Sequence, residues 1–505
     1  MRSLYRVFAL SSALLPCFAM YGQTTDAPPA EGDEEELRQT VHDLVRRVSA
    51  LELELRKERA TKMDAAPAVS AAVAVPVTEL SDNVTNVSSS AVGSSDAASS
   101  SSATAGAVAV KSAPVVAAVP KNPVASILPT QLPGGATLNY TFDGYYGYDF
   151  NHPIGRVEYL RAYDVLSNNF SVNQADVVLA LDPDVEEGRR YGVRVDLQFG
   201  QATASAAGNP ANEVRPDIYR NLFQAYGTYV VPVGKGLTLD FGKWVSSLGI
   251  EGNYTKDQIN YTRSFHFNYL PFYHTGLRAN YKVNDKLAVS YWVVNGTGQA
   301  EATNSYKDEL FGFAVHPTKD IAWNVNYYIG QEHPDVVAAT GCTVPLQPGL
   351  CVQEINPAPD GKQHIFDSYI TWNATPKLSL TVEGDYLISR QWAKAAPGQS
   401  SAPSHVIGGV GYARYQLTPR MALAGRGEYL SDRGGYFSGT TQALKEVTGT
   451  YEYTLGEGFL ARAEYRRDWS NRPFFLTNKP GALSHDQGTA VVGLVWWYGG
   501  KQGAW

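Results

Sequence analysis

The chain has 505 residues, a formal net charge of −7, only 18 % charged residues, 11 % aromatic residues and 46 glycines. That balance excludes a nucleic-acid partner, which calls for a basic stripe. No phosphate-cradling glycine loop and no metal-ligand spacing stands out, so no cofactor is expected.

The first element is an address. Arg2 and Arg6 precede an apolar run from Val7 to Phe18, and Ala19 and Gly22 are small residues suited to a cleavage point. Residues 1–22 read as a secretory signal peptide, too short to span a bilayer as a helix. Cys17 lies in its apolar core, and Pro16 before it suits a lipid-anchored start poorly. In residues 31–64, Leu37, Val41, Leu44, Val48, Leu51 and Leu55 recur at alternating spacings of four and three. This a/d seam predicts a coiled coil through which copies of the chain self-associate, with one amphipathic helix lying on another surface as the alternative. Residues 65–130 are Ala, Ser, Val and Pro with almost no charge, a composition that predicts a disordered linker spanning some tens of ångströms. No later stretch approaches ~20 consecutive apolar residues.

From residue 136 to 505 the texture changes to alternation with a period of two. Leu138, Tyr140 and Phe142 interleave with Asn139, Thr141 and Asp143, and Val193, Val195 and Leu197 interleave with Arg194 and Asp196. About sixteen strands are predicted, near 136–150, 174–182, 190–200, 219–231, 237–244, 274–283, 286–294, 309–316, 321–330, 363–373, 378–389, 405–416, 421–431, 445–454, 459–468 and 488–498. Short links such as Asn284-Asp285 and Thr418 to Arg420 alternate with long ones such as Val245 to Tyr273. Links sorted in this way put short turns at one rim and long loops at the other. The fold expected is therefore all-β, an up-and-down antiparallel transmembrane barrel with periplasmic turns and extracellular loops. In water, four or five outward apolar side chains on each of sixteen strands would far exceed the ~400 Å² patch that is tolerated, so lipid is expected to cover the belt. Tyr145, Tyr146, Tyr148, Tyr229, Trp292, Trp372, Trp496, Trp497 and Tyr498 lie near strand ends, as interfacial girdles require.

The alternation also assigns an inner face. Its bases are Arg194, Arg278, Lys282, Arg414, Arg426, Arg462 and Arg466. Its acids are Asp143, Asp176, Asp196, Asp240, Asp367, Glu383, Asp385, Glu428, Glu452 and Glu464. Ten acids against seven bases imply a polar, water-filled lumen with a weak preference for cations. The third long loop, Val245 to Tyr273, is the natural candidate to fold inward, offering Glu251, Lys256, Asp257, Arg263 and His266 to a constriction; a surface lid is the alternative. Cys342 and Cys351, eight residues apart in the fifth long loop, are expected to form a disulfide outside the cell. Ser264 with His266, and Ser404 with His405, give no oriented Ser-His-acid set, so no enzyme is expected.

The stretch from Gly242 to Gly296 includes GKWVSSLGIEGNYTKDQINYTRSFHFNYLPFYHTGLRANYKV and ends in VVNGTGQ. It resembles the OmpL-like β-barrel porin family, with the shared marks on Gly242, Gly249, Glu251, Asn260, Ser264, Phe265, His274, Gly276, Asn295 and Gly296. The polar lumen is expected to pass small hydrophilic solutes or ions, and the linker to tether the coiled coil in the periplasm; the resemblance implies an outer-membrane porin-like barrel. It names no established substrate, and a substrate-selective channel or receptor built on the long loops is the alternative. Analogy with general porins points to a trimer.

Overall fold

The computed structural model describes residues 130–207, 216–333, 336–337, 356–357, 361–390, 403–456 and 458–499. The signal peptide, the heptad segment, the linker up to residue 129 and the Cys342–Cys351 pair lie outside the described residues.

The period-two segments form sixteen strands. They are β1 (Thr137–Asp149), β2 (Asn169–Leu181), β3 (Tyr191–Phe199), β4 (Leu222–Val231), β5 (Leu237–Val245), β6 (Tyr273–Asn284), β7 (Leu287–Val294) and β8 (Asp308–Thr318). They continue as β9 (Ile321–Gly330), β10 (Gln363–Asn373), β11 (Leu378–Arg390), β12 (Pro403–Thr418), β13 (Met421–Arg433), β14 (Gln442–Gly456), β15 (Phe459–Ser470) and β16 (Asp486–Tyr498). Each pairs antiparallel with its sequence neighbours, and β1 also pairs with β16, so the sheet closes and leaves no free edge. The register Tyr140↔Tyr498 beside Thr137↔Ala180 places the barrel's first and last residues at the rim of the short turns.

The alternation sets which side chains water or lipid would meet. Along β13, Ala422, Ala424, Arg426, Glu428, Leu430 and Asp432 are buried inside the ring, while the residues between them face out. The outer wall is apolar: Phe170, Phe241, Val382, Val492 and Val447 are all exposed on it. Every inward acid and base expected from the sequence is buried on the inner face except Lys282, which is exposed at the short-turn rim beside Asp285. Reversing the sheet would put Arg426, Arg462 and Arg466 in acyl chains at ~2–4 kcal/mol for each arginine near the midplane. Lipid is the solvent this wall fits.

An aromatic ladder runs around the outer wall at the long-loop rim. Ring centroids are 5.0 Å apart for Tyr291–Phe311, 4.7 Å for Tyr327–Phe366 and 5.9 Å for Tyr386–His405. Amphipathic rings at that level suit the headgroup layer. Three residues expected in the girdle are elsewhere. Tyr145, Trp292 and Trp497 turn to the inner face, because their positions share the parity of Asp143, Ser290 and Val495.

The interior is not polar throughout, contrary to the reading from the sequence. Near the long-loop rim, Leu310, Tyr328, Ile365, Leu387 and Val406 are register partners on β8 to β12, and all face inward. With Trp244, Trp292, Val294, Leu430 and Leu444 they form an apolar collar. Asn326, Asp367 and Asp385 lie two residues deeper on their strands.

Candidate functional site: the third loop on the inner wall

The loop between β5 and β6, residues 246–272, carries its own internal scaffold. Gly249 adopts a positive φ of 78°, which glycine accepts without a steric penalty. Ser264 caps the short helix α1 (Phe265–Tyr269), its Oγ accepting from the Phe267 amide at 3.0 Å. Arg263 is buried and donates to the carbonyls of Gly252, Asn253 and Tyr261, tying the outgoing and returning limbs together. Glu251 accepts from the amide and hydroxyl of Ser264 at 2.7 and 2.8 Å, adding a second tie.

Three patches of the inner wall hold this scaffold. At β1 to β3, Tyr261 donates to Asp143 at 2.6 Å, Tyr254 donates to Asp196, and Gln174 accepts from the Thr255 amide at 3.1 Å while donating to the Asn253 carbonyl. Burial, reinforced by Asp196 and Asp143, pushes the phenols of Tyr254 and Tyr261 well above their ordinary values, so both remain donors.

At β13 to β15, Arg426 pairs with Glu251 and Glu446, both at 2.9 Å, and donates to the Thr262 carbonyl. Arg462 pairs with Glu452 and donates to the Thr255 and Gln258 carbonyls. Arg466 pairs with Asp468 and donates to the Arg263 carbonyl. Glu464 accepts the amides of Tyr261 and Thr262, and Glu428 accepts those of Phe265 and His266 and also bonds His266 Nδ1. Burial disfavours a charged His266, yet Glu428 more than offsets it and the imidazole lies above its ordinary value.

At β9 to β11, Glu383 accepts from the Ile250 amide at 3.0 Å, Asp385 accepts from Tyr269, and Asn326 bonds both Ser247 and Asp367. Contacts with strands so far apart in the ring are satisfied only by a loop lying inside it. The apolar side chains Leu248, Phe265, Tyr269 and Leu270 meet the collar, while the polar ones reach the band beneath.

The residues singled out from the sequence fall into distinct surroundings. Glu251, Arg263 and His266 are buried and engaged in the loop's attachment. Lys256 and Asp257 pair with each other at 2.7 Å, with 13 % of the Asp257 side chain exposed. Arg194 is bonded to Asp196 at 2.7 and 2.8 Å. Arg278 stands apart from the loop, paired with Asp240 beneath the rings of Tyr226 and Trp244. Sequence reasoning missed Glu446, although it shares parity with Thr448 and Thr450 on β14. It also missed Arg161 in the first long loop, buried and bonded to Asp468 at 2.8 Å and Thr489 at 2.9 Å; nothing local marks that arginine.

The family model described as "Putative beta-barrel porin-2, OmpL-like" matches residues 136–496. No curated protein sequence matches the chain. Among solved structures, the outer membrane channel DcaP of Acinetobacter baumannii aligns with a TM-score of 0.46 at 10% identity, over 74% of this chain and 100% of that one. The anion-selective porin from Comamonas acidovorans gives 0.46 at 7% identity, over 72% and 99%. In-vitro folded OmpT of Vibrio cholerae gives 0.43 at 10% identity, over 72% and 97%.

Proposed function

The chain belongs to the OmpL-like β-barrel porin family, and from that premise we propose that it is an outer-membrane porin through which small hydrophilic solutes or ions diffuse passively, narrowed by the third loop. One observation carries this reading: loop residues hydrogen-bond to inward side chains of β1, β3, β11, β13 and β15 together, so the loop spans the bore. Charges at a narrowing set selectivity more strongly than charges on a wide wall. Here Lys256 and Asp257, which we place at that narrowing, pair with each other, and Arg194, Arg278, Arg426, Arg462, Asp196 and Glu428 are neutralised locally. Weak ion selectivity follows. Purified full-length protein in a planar bilayer should give discrete conductance steps with a reversal potential near zero in a salt gradient. Absence of any step from correctly folded barrel would end the reading.

The apolar collar favours a second reading, a channel selective for solutes with an apolar face. Liposome swelling with a graded series of sugars and amphiphilic solutes separates the two. General diffusion gives rates ordered by size alone; selectivity gives one class out of order. We place the heptad segment in the periplasm, where it joins copies of the chain into an oligomer, with three the number favoured by analogy. Removing residues 31–64 should lower the detergent-corrected mass to that of a monomer, and an unchanged oligomer would assign assembly to the barrel.

A further inference from the structure

On the inner wall beneath the third loop, Asp367, Glu383 and Asp385 bring three carboxylates together, with one oxygen from each within 4.8 Å of the others. Asp367 and Asp385 are direct register partners on β10 and β11, a placement that destabilises like charges. All three are buried, and among the described residues no lysine or arginine forms an ion pair with any of them. They accept hydrogen bonds from neutral donors: the Ile250 amide, the Tyr269 hydroxyl and the Asn326 amide. One oxygen each of Asp367 and Asp385 is buried without a partner.

A second observation comes from a different element. His266, on α1 of the loop, is fully buried, and no side chain hydrogen-bonds its Nε2. That nitrogen lies 3.9 Å from Asp385 Oδ2. Its Nδ1 is held by Glu428. A carboxylate on one ring nitrogen orients the other as a ligand, the arrangement that metal-binding histidines use.

We propose that Asp367, Glu383 and Asp385, with His266 from the loop, bind one divalent cation of the oxygen- and imidazole-accepting kind, Mn²⁺ or Zn²⁺. The cation would balance three buried carboxylates and join β10 and β11 to the loop, so that its occupancy would hold the narrowing in place. The site is independent of the proposed conduction, because a barrel with the site empty still has a bore.

The test uses full-length protein, stripped with a chelator and returned to chelator-free detergent buffer. Mn²⁺ is titrated in with detection by electron paramagnetic resonance, and Zn²⁺ and Ca²⁺ are added in separate arms as competitors. The expected result is one Mn²⁺ per chain, displaced more readily by Zn²⁺ than by Ca²⁺. A nitrogen coupling in the pulsed spectrum should disappear in His266→Gln. Asp367→Asn together with Asp385→Asn should weaken Mn²⁺ binding at least a hundredfold. Heat-modifiability on gels checks that each variant has folded. No stoichiometric Mn²⁺ in the wild-type protein, or the same affinity in the double variant, would overturn the proposal and leave the carboxylates balanced by protons shared among themselves and with His266. Conductance measured on the same preparations keeps the two readings separate: loss of binding with retained conductance bears on the cation alone.

Discussion

The third loop rests on two charged patches of one wall, and they are built in opposite senses. On β13 to β15 the wall presents guanidinium groups, each already paired with a carboxylate, and their remaining N–H groups reach loop carbonyls. On β10 and β11 the wall presents carboxylates, which accept loop N–H and O–H groups without a paired lysine or arginine among the described residues. Alternation placed both sets inside the ring. The cross-strand neighbour decides the rest: Glu452 on β14 faces Arg462 on β15, whereas Asp367 on β10 faces Asp385 on β11. Removing a charge should therefore have opposite consequences in the two places.

The largest expected effect is on the basic side. Arg426→Ala leaves Glu251 and Glu446 buried without their shared partner, a loss of about 3–5 kcal/mol. It should appear as a markedly lower temperature of heat modification on gels and as cleavage of the loop by added protease. A variant as stable as wild type would remove the distinction between the patches. Next, Tyr261→Phe deletes the phenol that donates to Asp143, leaving a buried acceptor short of one bond at about 1–3 kcal/mol. The same gel assay should resolve that smaller shift.

On the acidic side the sign reverses. In chelated protein, Asp367→Asn replaces one of two opposed carboxylates and should stabilise the barrel, by up to about 1 kcal/mol. A clear loss of stability there would mean that protons shared among the carboxylates and with His266 already balance the cluster. The smallest effect belongs to Lys282→Ala. Its partner Asp285 is 90 % exposed at a turn, so screening leaves no measurable change in the heat-modification temperature.

Much of this fold was legible in the sequence because a barrel in lipid keeps the period of two that every strand imposes. The inward positions of Arg426, Glu428, Arg462 and Glu464 followed from that period alone. Link lengths sorted the two rims. Tyr145 and Trp292 were read as girdle residues from their closeness to strand ends, although the same period of two turns them inward; what alternation cannot distinguish is depth along the strand. The collar of Ile365, Leu387, Val406 and Leu430 is invisible for a related reason. Each is a single apolar residue on a mostly polar face, and only register sets them at one level. The site was half legible. Glu251, Arg263 and His266 were recognised as chemistry on a long loop, but their roles rest on partners as many as 175 residues away, as with Arg426 and Glu251. Nothing in local spacing encodes such partners. The tie between Arg161 and Asp468 is hidden in the same way.

The central claim is that the third loop narrows the bore, and removal of its apex, residues Gly252 to Asn260, addresses it directly. The segment holds Asn253, Tyr254 and Thr255, which bond the wall at β1 to β3, and Lys256 and Asp257, which pair with each other. Single-channel conductance of the shortened protein should rise several-fold over the full-length chain, with ion selectivity staying weak. Conductance unchanged in a correctly folded barrel would show that solute passes by a route the loop does not control.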